Sequence, residues 1–157
     1  MSDEQYSHRA VAWWTSGRTG LAKCNSAPNA IHFTAPPEFG GLEGRWTPED
    51  LLLGAAAGCF TTTFHSIARS SKFDYIDLEV EAETTVQKAE TGYTFNDITI
   101  RAHLTVPGEE VRDQALRILE KTRDLCLISR ALATRPKLEM QVEVGKGLAV
   151  VNNTRRE

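Results

Sequence analysis

The spacing of polar and apolar residues changes several times along the chain, and each change marks an element. Ile76, Leu78, Val80 and Ala82 alternate with Asp77, Glu79, Glu81 and Glu83. Further on, Ile98, Ile100, Ala102, Leu104 and Val106 alternate with Thr99, Arg101, His103 and Thr105. A period of two puts successive side chains on opposite faces, so each segment predicts a strand with one core face and one wet face. With a turn near Thr91-Gly92, the two form a long antiparallel hairpin. Glu79 and Glu81 then fall near Arg101 and His103, a favourable cross-strand match.

The period lengthens to that of a helix in two places. Thr47 suits an N-cap, Pro48 the first helical position, and Glu49 and Asp50 put negative charge in the first turn. Asp50, three residues after Thr47, is a short version of the capping-box acid. From Leu51 the helix is expected to run to about Ser70. Its first half is apolar all round and is expected to be buried on every side. After Pro107-Gly108, Glu109 and Glu110 open a second helix with an apolar stripe of Val111, Ala115, Ile118, Leu119 and Thr122. The stripe breaks near Asp124, and Leu127 to Ala133 predicts a short third helix ending before Pro136.

The remaining segments predict short strands at His8 to Trp14, Leu21 to Cys24, Ala30 to Thr34, Leu138 to Val144 and Leu148 to Val151. Ser16-Gly17-Arg18-Thr19-Gly20 is a turn, and Pro36-Pro37 with Gly40-Gly41 marks a loop. Strands, helix, strands, helices, strands is the order of an α+β fold with helices on antiparallel sheet. At 157 residues the chain suits a single domain, 1–157, with one hydrophobic core.

Composition narrows the function. A net charge of −3 offers nothing to attract nucleic acid or an anionic membrane. Leu51 to Phe60, the longest apolar run, covers about half of what spans a bilayer. The polar, acidic opening Met1 to Gln5 is unlike a secretory signal. Cys24, Cys59 and Cys126 are odd in number and widely spaced, which points to reduced thiols in the cytoplasm. With no Cys-x-x-Cys or His-x-x-x-His pair, no metal site is expected.

Gly54 and Gly58 each cost a helix about 1 kcal/mol relative to alanine. Such a cost is tolerated where something packs close to the backbone. Cys59 shares its face with Leu52, Ala55, Ala56, Thr62, Thr63 and Ser66, nearly all small. A cysteine here serves equally well as a small buried hydrophobe. To be a nucleophile it needs a nearby cation, because apolar burial raises a thiol's pKa.

Thr47-Pro48-Glu49-Asp50-Leu51 followed by Ala55-Ala56-Ala57-Gly58-Cys59-Phe60 resembles the signature of the OsmC/Ohr family. Gly17-Arg18-Thr19-Gly20 resembles the arginine turn of the Ohr branch, and Cys126 with Ser129 and Ala131-Leu132 its second cysteine segment. The resemblance implies an intertwined homodimer, with antiparallel sheets packed on a long buried central helix and active sites at the subunit interface. It further implies reduction of organic hydroperoxides without haem, flavin or metal. Cys59 would be peroxidatic and Cys126 resolving. Arg18 would stabilise the thiolate, and Glu49 would hold Arg18. A dithiol, in the Ohr branch commonly a lipoylated protein, would reduce the resulting disulfide.

Glu49 and Cys59 lie ten residues apart, hence about 15 Å along a straight helix. Either Arg18 and Glu49 of one subunit serve Cys59 of the other, which is the arrangement expected, or the helix is broken. Two features depart from the family pattern: Leu127 stands where a proline usually follows the second cysteine, and Gly44-Arg45-Trp46 is bulkier than usual. They favour a rival, a non-catalytic OsmC-like dimer that binds a small ligand. Cys24 is expected to be a strand residue without a redox role. His65 is a poor base for Cys59, six residues away on another helix face. His103 is expected on the wet side of its strand, and Trp13, Trp14 and Trp46 in core or interface packing.

Overall fold

A computed structural model describes residues 4–145; the strand expected at Leu148 to Val151 lies outside them. The chain divides into two compact units, Met1–Leu52 and Leu53–Glu157.

In the first unit, β1 (Ala10–Ser16), β2 (Thr19–Cys24) and β3 (Ile31–Phe33) form an antiparallel sheet in that order. Gly17, at φ +58°, makes the turn between β1 and β2. Gly20 is required by contact: a Cβ there would come within 2.5 Å of the Phe33 ring. The chain returns past a 3-10 turn at Pro37–Phe39 and pairs Trp46 with Phe33 in a parallel bridge, Thr34 N–H donating to the Trp46 carbonyl at 2.9 Å. Every residue of β1 is exposed, and Trp13, Trp14 and Trp46 are among the most exposed large apolar side chains. None of the three tryptophans is in the core of this chain.

The long helix α1 (Pro48–Ser70) starts as its sequence dictates. The Thr47 hydroxyl accepts from the Asp50 N–H at 3.1 Å, and the Asp50 carboxylate accepts from the Thr47 N–H at 3.0 Å. That reciprocal pair satisfies two amides that the helix itself leaves open.

In the second unit the burial along α1 is one-sided. Ala56, Phe60, Phe64, Ile67 and Ala68 are buried, whereas Gly54, Ala55, Gly58, Thr61, Thr62, His65 and Ser66 are exposed. The expectation of burial on every side is corrected here. Small residues count as apolar in a pattern, yet only the phenylalanines and Ile67 on the far side offer much area to bury. Among the described residues, a Cβ on Gly58 would meet nothing within 4 Å. By length and composition α1 could cross a membrane, with a mean hydropathy of 1.4 over an 18-residue window. Its one-sided packing on a sheet, with hydroxyls along the open flank, is that of a globular core helix.

The sheet beneath holds β4 (Asp77–Glu83), β7 (Thr99–Val106) and β8 (Lys137–Val144) in the order β4-β7-β8. The antiparallel register of β4 and β7 pairs Glu79 with His103 and Glu81 with Arg101, as the alternation predicts. Ile100, Ala102, Leu104 and Val106 are buried, and His103 is exposed. On the wet face Arg101 bridges Glu83 at 2.5 Å and Glu139 at 2.8 Å. The hairpin is not continuous, because β5 (Val86–Ala89) and β6 (Gly92–Phe95) form a separate two-stranded ribbon between β4 and β7. Gly92, at φ +125°, makes its turn.

A 3-10 turn at Glu109–Val111 leads into α2 (Arg112–Leu125), whose stripe of Ala115, Ile118, Leu119 and Thr122 is buried. The short helix α3 (Leu127–Ala131) ends two residues sooner than expected. Because α2 and α3 carry the chain back across the sheet, β8 joins β7 in parallel, so one pair of an otherwise antiparallel α+β fold is parallel. Phe60, Phe64, Ile67, Tyr75, the inner face of β7, Ala115, Ile118 and Leu119 of α2, and Cys126 belong to one core cluster. Phe64 and Tyr75 meet edge to face, with centroids 5.2 Å apart, a geometry that adds about 0.5–1.5 kcal/mol to the area they bury.

Candidate functional site

Two of the expected residues come together. Cys59 lies on α1, half-buried against the core cluster. Cys126, fully buried, is the hinge residue between α2 and α3, with φ −60° and ψ 112°. That extended backbone stops α2 at Leu125 and starts α3 at Leu127. Both thiols are free, Cys59 packs against the core cluster that contains Cys126, and each thiol influences the ionisation of the other. The Ser129 hydroxyl donates to the Cys126 sulfur at 3.2 Å, and the Thr63 hydroxyl lies 4.0 Å from the Cys59 sulfur.

The two thiols are pushed in opposite directions. Burial pushes Cys59 up, but the backbone of Ile128, the Cys126 thiol, the Thr63 hydroxyl and the backbone of Leu127 together outweigh it, and the net displacement is downward. Burial pushes Cys126 up, the Ser129 side chain and backbone ease it, and the neighbouring Cys59 adds to the rise. The arrangement therefore makes Cys59 the more readily ionised of the two thiols. The largest influences lowering Cys59 are hydrogen-bond donors, and none of them is a cation. Ile128 and Leu127 act because first-turn amides of a helix have no partner inside it. Sequence reasoning looked only for an arginine and missed these donors. The one signal for them was the helix break at Asp124, which places open amides after Cys126.

Arg18 and Glu49 belong to the other compact unit. Arg18 is exposed in the β1–β2 turn, its guanidinium donating to the Gly40 carbonyl at 3.3 Å and its own carbonyl accepting from the Thr34 hydroxyl at 2.6 Å. Glu49 is half-buried in the first turn of α1. Its Oε2 is enclosed and has no hydrogen-bond partner among the described residues, a costly condition for a carboxylate. Cys24, on β2, lies 3.3 Å from the Ser26 hydroxyl. His65 Nδ1 is 3.0 Å from the Tyr75 hydroxyl, a partner other than either thiol. Among the described residues no three His, Cys, Asp or Glu side chains are grouped as metal ligands would be.

Comparison with known proteins places this geometry in a wider setting. The protein YmaD of Bacillus subtilis (strain 168), described as uncharacterized, is 26% identical over 137 residues, spanning 85% of this chain and 91% of its own length. Peroxiredoxin OsmC of Escherichia coli (strain K12) is 24% identical over 105 residues, spanning 67% of this chain and 72% of its own. The crystal structure of an organic hydroperoxide resistance protein from Elizabethkingia anophelis superposes with a TM-score of 0.70 at 23% identity, over 91% of this chain and 99% of that one. That likeness is one of fold. The family described as OsmC-like protein matches residues 41–141, a span that takes in Glu49, Cys59 and Cys126 and leaves Arg18 outside. On the strength of that match, the chain belongs to the OsmC-like protein family of the OsmC/Ohr group.

Proposed function

We propose that the protein reduces organic hydroperoxides through Cys59 and Cys126, protecting a cytoplasm against oxidative stress. The observation that carries this is the pair of neighbouring sulfurs displaced in opposite directions, one toward thiolate and one held as thiol. Cys59 attacks the distal peroxide oxygen, the O–O bond breaks, and the alkoxide takes a proton and leaves as alcohol. The Cys59 sulfenic acid then condenses with Cys126, releasing water and leaving a disulfide for an external dithiol to reduce. A lipoylated protein has the chemistry to do so. The steps call for no cofactor.

Arg18 and Glu49 complete the site in a homodimer. Glu49 and Cys59 stand about 15 Å apart along α1, so the pair from one subunit serves Cys59 of its partner. Two observations support this. Glu49 has a buried oxygen with no donor, suited to a guanidinium, and the flank of α1 beside Cys59 is open and small-residued. The guanidinium adds positive charge where the alkoxide develops, in addition to what the amides of α3 supply.

The rival, a non-catalytic dimer that binds a small ligand, draws on Leu127 and Gly44-Arg45-Trp46 and on one structural observation: in this chain the Arg18 guanidinium is bonded to the Gly40 carbonyl. Peroxide consumption separates the two. With cumene hydroperoxide and a dithiol reductant, wild type turns over, Cys59→Ser does not, and Arg18→Ala and Glu49→Gln are slowed. Equal consumption by Cys59→Ser and wild type ends the peroxidase reading.

A further inference from the structure

We infer that Ser129 is a positioning residue of the disulfide-forming step: its buried hydroxyl holds the Cys126 sulfur and stabilises the charge that forms there as Cys126 attacks oxidised Cys59. The inference deepens the proposed peroxidase reading and rests on it.

The geometry is specific. Cys126 is the N-cap of α3, and Ser129 is the third residue of that helix. One turn of helix brings the Ser129 Oγ back over the cap, 3.2 Å from the Cys126 sulfur. Ser129 is 3% exposed and Cys126 0%, so no water competes for the bond. A hydroxyl can give its hydrogen to a sulfur whether that sulfur is protonated or not, and it gives it more strongly to a thiolate. The titratable group facing Cys126 is Cys59, from α1, whose charge opposes ionisation of Cys126. The charged side chains nearby in sequence, Arg123, Asp124 and Arg130, are exposed. Burial and Cys59 thus hold the resolving thiol protonated, and Ser129 is the side chain that works against them.

The step balances as follows. After the first reaction Cys59 is a sulfenic acid and no longer repels a second negative charge. Cys126 gives up its Sγ proton and its electron pair forms the S–S bond. The Cys59 S–O bond breaks, and the departing hydroxide takes a proton to leave as water. The two sulfurs together lose two electrons, which the peroxide has gained. Ser129 stays neutral, donating to Sγ while that sulfur carries charge.

Losing one such hydrogen bond moves the ionisation of Cys126 up by about one pH unit. At neutral pH the thiolate fraction falls about tenfold, while the more basic thiolate is about threefold more nucleophilic. Disulfide formation then slows about three- to fourfold. At a pH where Cys126 is ionised in both proteins the fraction no longer differs, and the more nucleophilic thiolate makes the variant the faster by about threefold.

The test is a single turnover with cumene hydroperoxide in a Cys24→Ser background, followed across pH. Peroxide loss reads the first step, and the mass of quenched protein reads the disulfide. Ser129→Ala is expected to slow the second step relative to the first about three- to fourfold near pH 7, with the deficit closing and then reversing as pH rises past the ionisation of Cys126 in both proteins. Ser129→Thr, which keeps the hydroxyl, restores the wild-type profile. A deficit in Ser129→Ala of the same size at every pH would mark a packing defect and overturn the inference, as would no deficit at all. Should Ser129→Ala not fold, Ser129→Val, which lacks the hydroxyl and matches the shape of Ser129→Thr, carries the same comparison. If wild type consumes no peroxide, the peroxidase reading itself falls and this inference with it.

Discussion

Leu127→Pro removes one hydrogen-bond donor from Cys59 and little else. Leu127 is the first residue of α3, the position where proline's fixed φ fits and its missing N–H costs the helix nothing. The preceding residue must be extended, and Cys126 already is, at φ −60° and ψ 112°. The Leu127 side chain is 69% exposed, so its loss forfeits little packing. The Leu127 backbone is one of the groups that lower Cys59, and proline has no N–H to give. A hydrogen bond to a charged group contributes about 1.5–3 kcal/mol. Cys59 is half-buried, so the lower end applies, and about 1.4 kcal/mol corresponds to one pH unit. The pH midpoint for iodoacetamide alkylation of Cys59, followed by mass in a Cys24→Ser background, should rise in Leu127→Pro, by less than the roughly one unit of a full charged hydrogen bond, because the Leu127 backbone is the smallest of the influences that lower Cys59. Leu127→Ala, which keeps the N–H, should leave it where it was. A folded Leu127→Pro whose midpoint matches wild type would refute the assignment of the α3 backbone as a thiolate-stabilising group.

Three further outcomes follow from the packing. Thr47→Ala removes the cap hydroxyl that accepts from Asp50 and should lower stability by about 1 kcal/mol; an unchanged urea midpoint would show the cap to be dispensable. Leu104→Ala empties a site 1% exposed in the middle of β7, and chemical denaturation should register a loss of about 2–5 kcal/mol. Gly58→Ala puts a Cβ within 4 Å of no neighbouring side chain or strand among the described residues and would favour an isolated helix by about 1 kcal/mol. The proposed dimer seats a second copy on that flank, so sedimentation equilibrium should find weaker self-association. Higher stability with self-association intact would exclude this flank from the interface.

The parts of the fold written in local pattern were legible in the sequence. Thr47 to Asp50 spells out its own cap because the donors and acceptors are three residues apart. The register of β4 on β7 was legible because a slip of one residue would turn Leu78, Val80 and Ala82 into solvent. The partner of β8 was not, since alternation identifies a strand and says nothing of its neighbour. Val86 to Phe95 hid its ribbon because all of its strand residues are exposed and no buried face imposes a period. The open flank of α1 was misread because alanine, glycine and threonine satisfy an apolar pattern without area to bury. At the site, the resemblance supplied the pairing of Cys59 with Cys126, which lie 67 positions apart. The donors on Cys59 depend on how α3 is aimed, and that is a tertiary fact.

The central claim is that Cys59 and Cys126 form one redox pair, and peptide mapping of the oxidised protein tests it most directly. Reduced protein treated with one equivalent of cumene hydroperoxide should lose two hydrogens per chain and yield a cross-linked peptide joining Cys59 to Cys126, with Cys24 still a free thiol. Unreacted protein, or a disulfide that engages Cys24 in place of Cys126, would contradict the account.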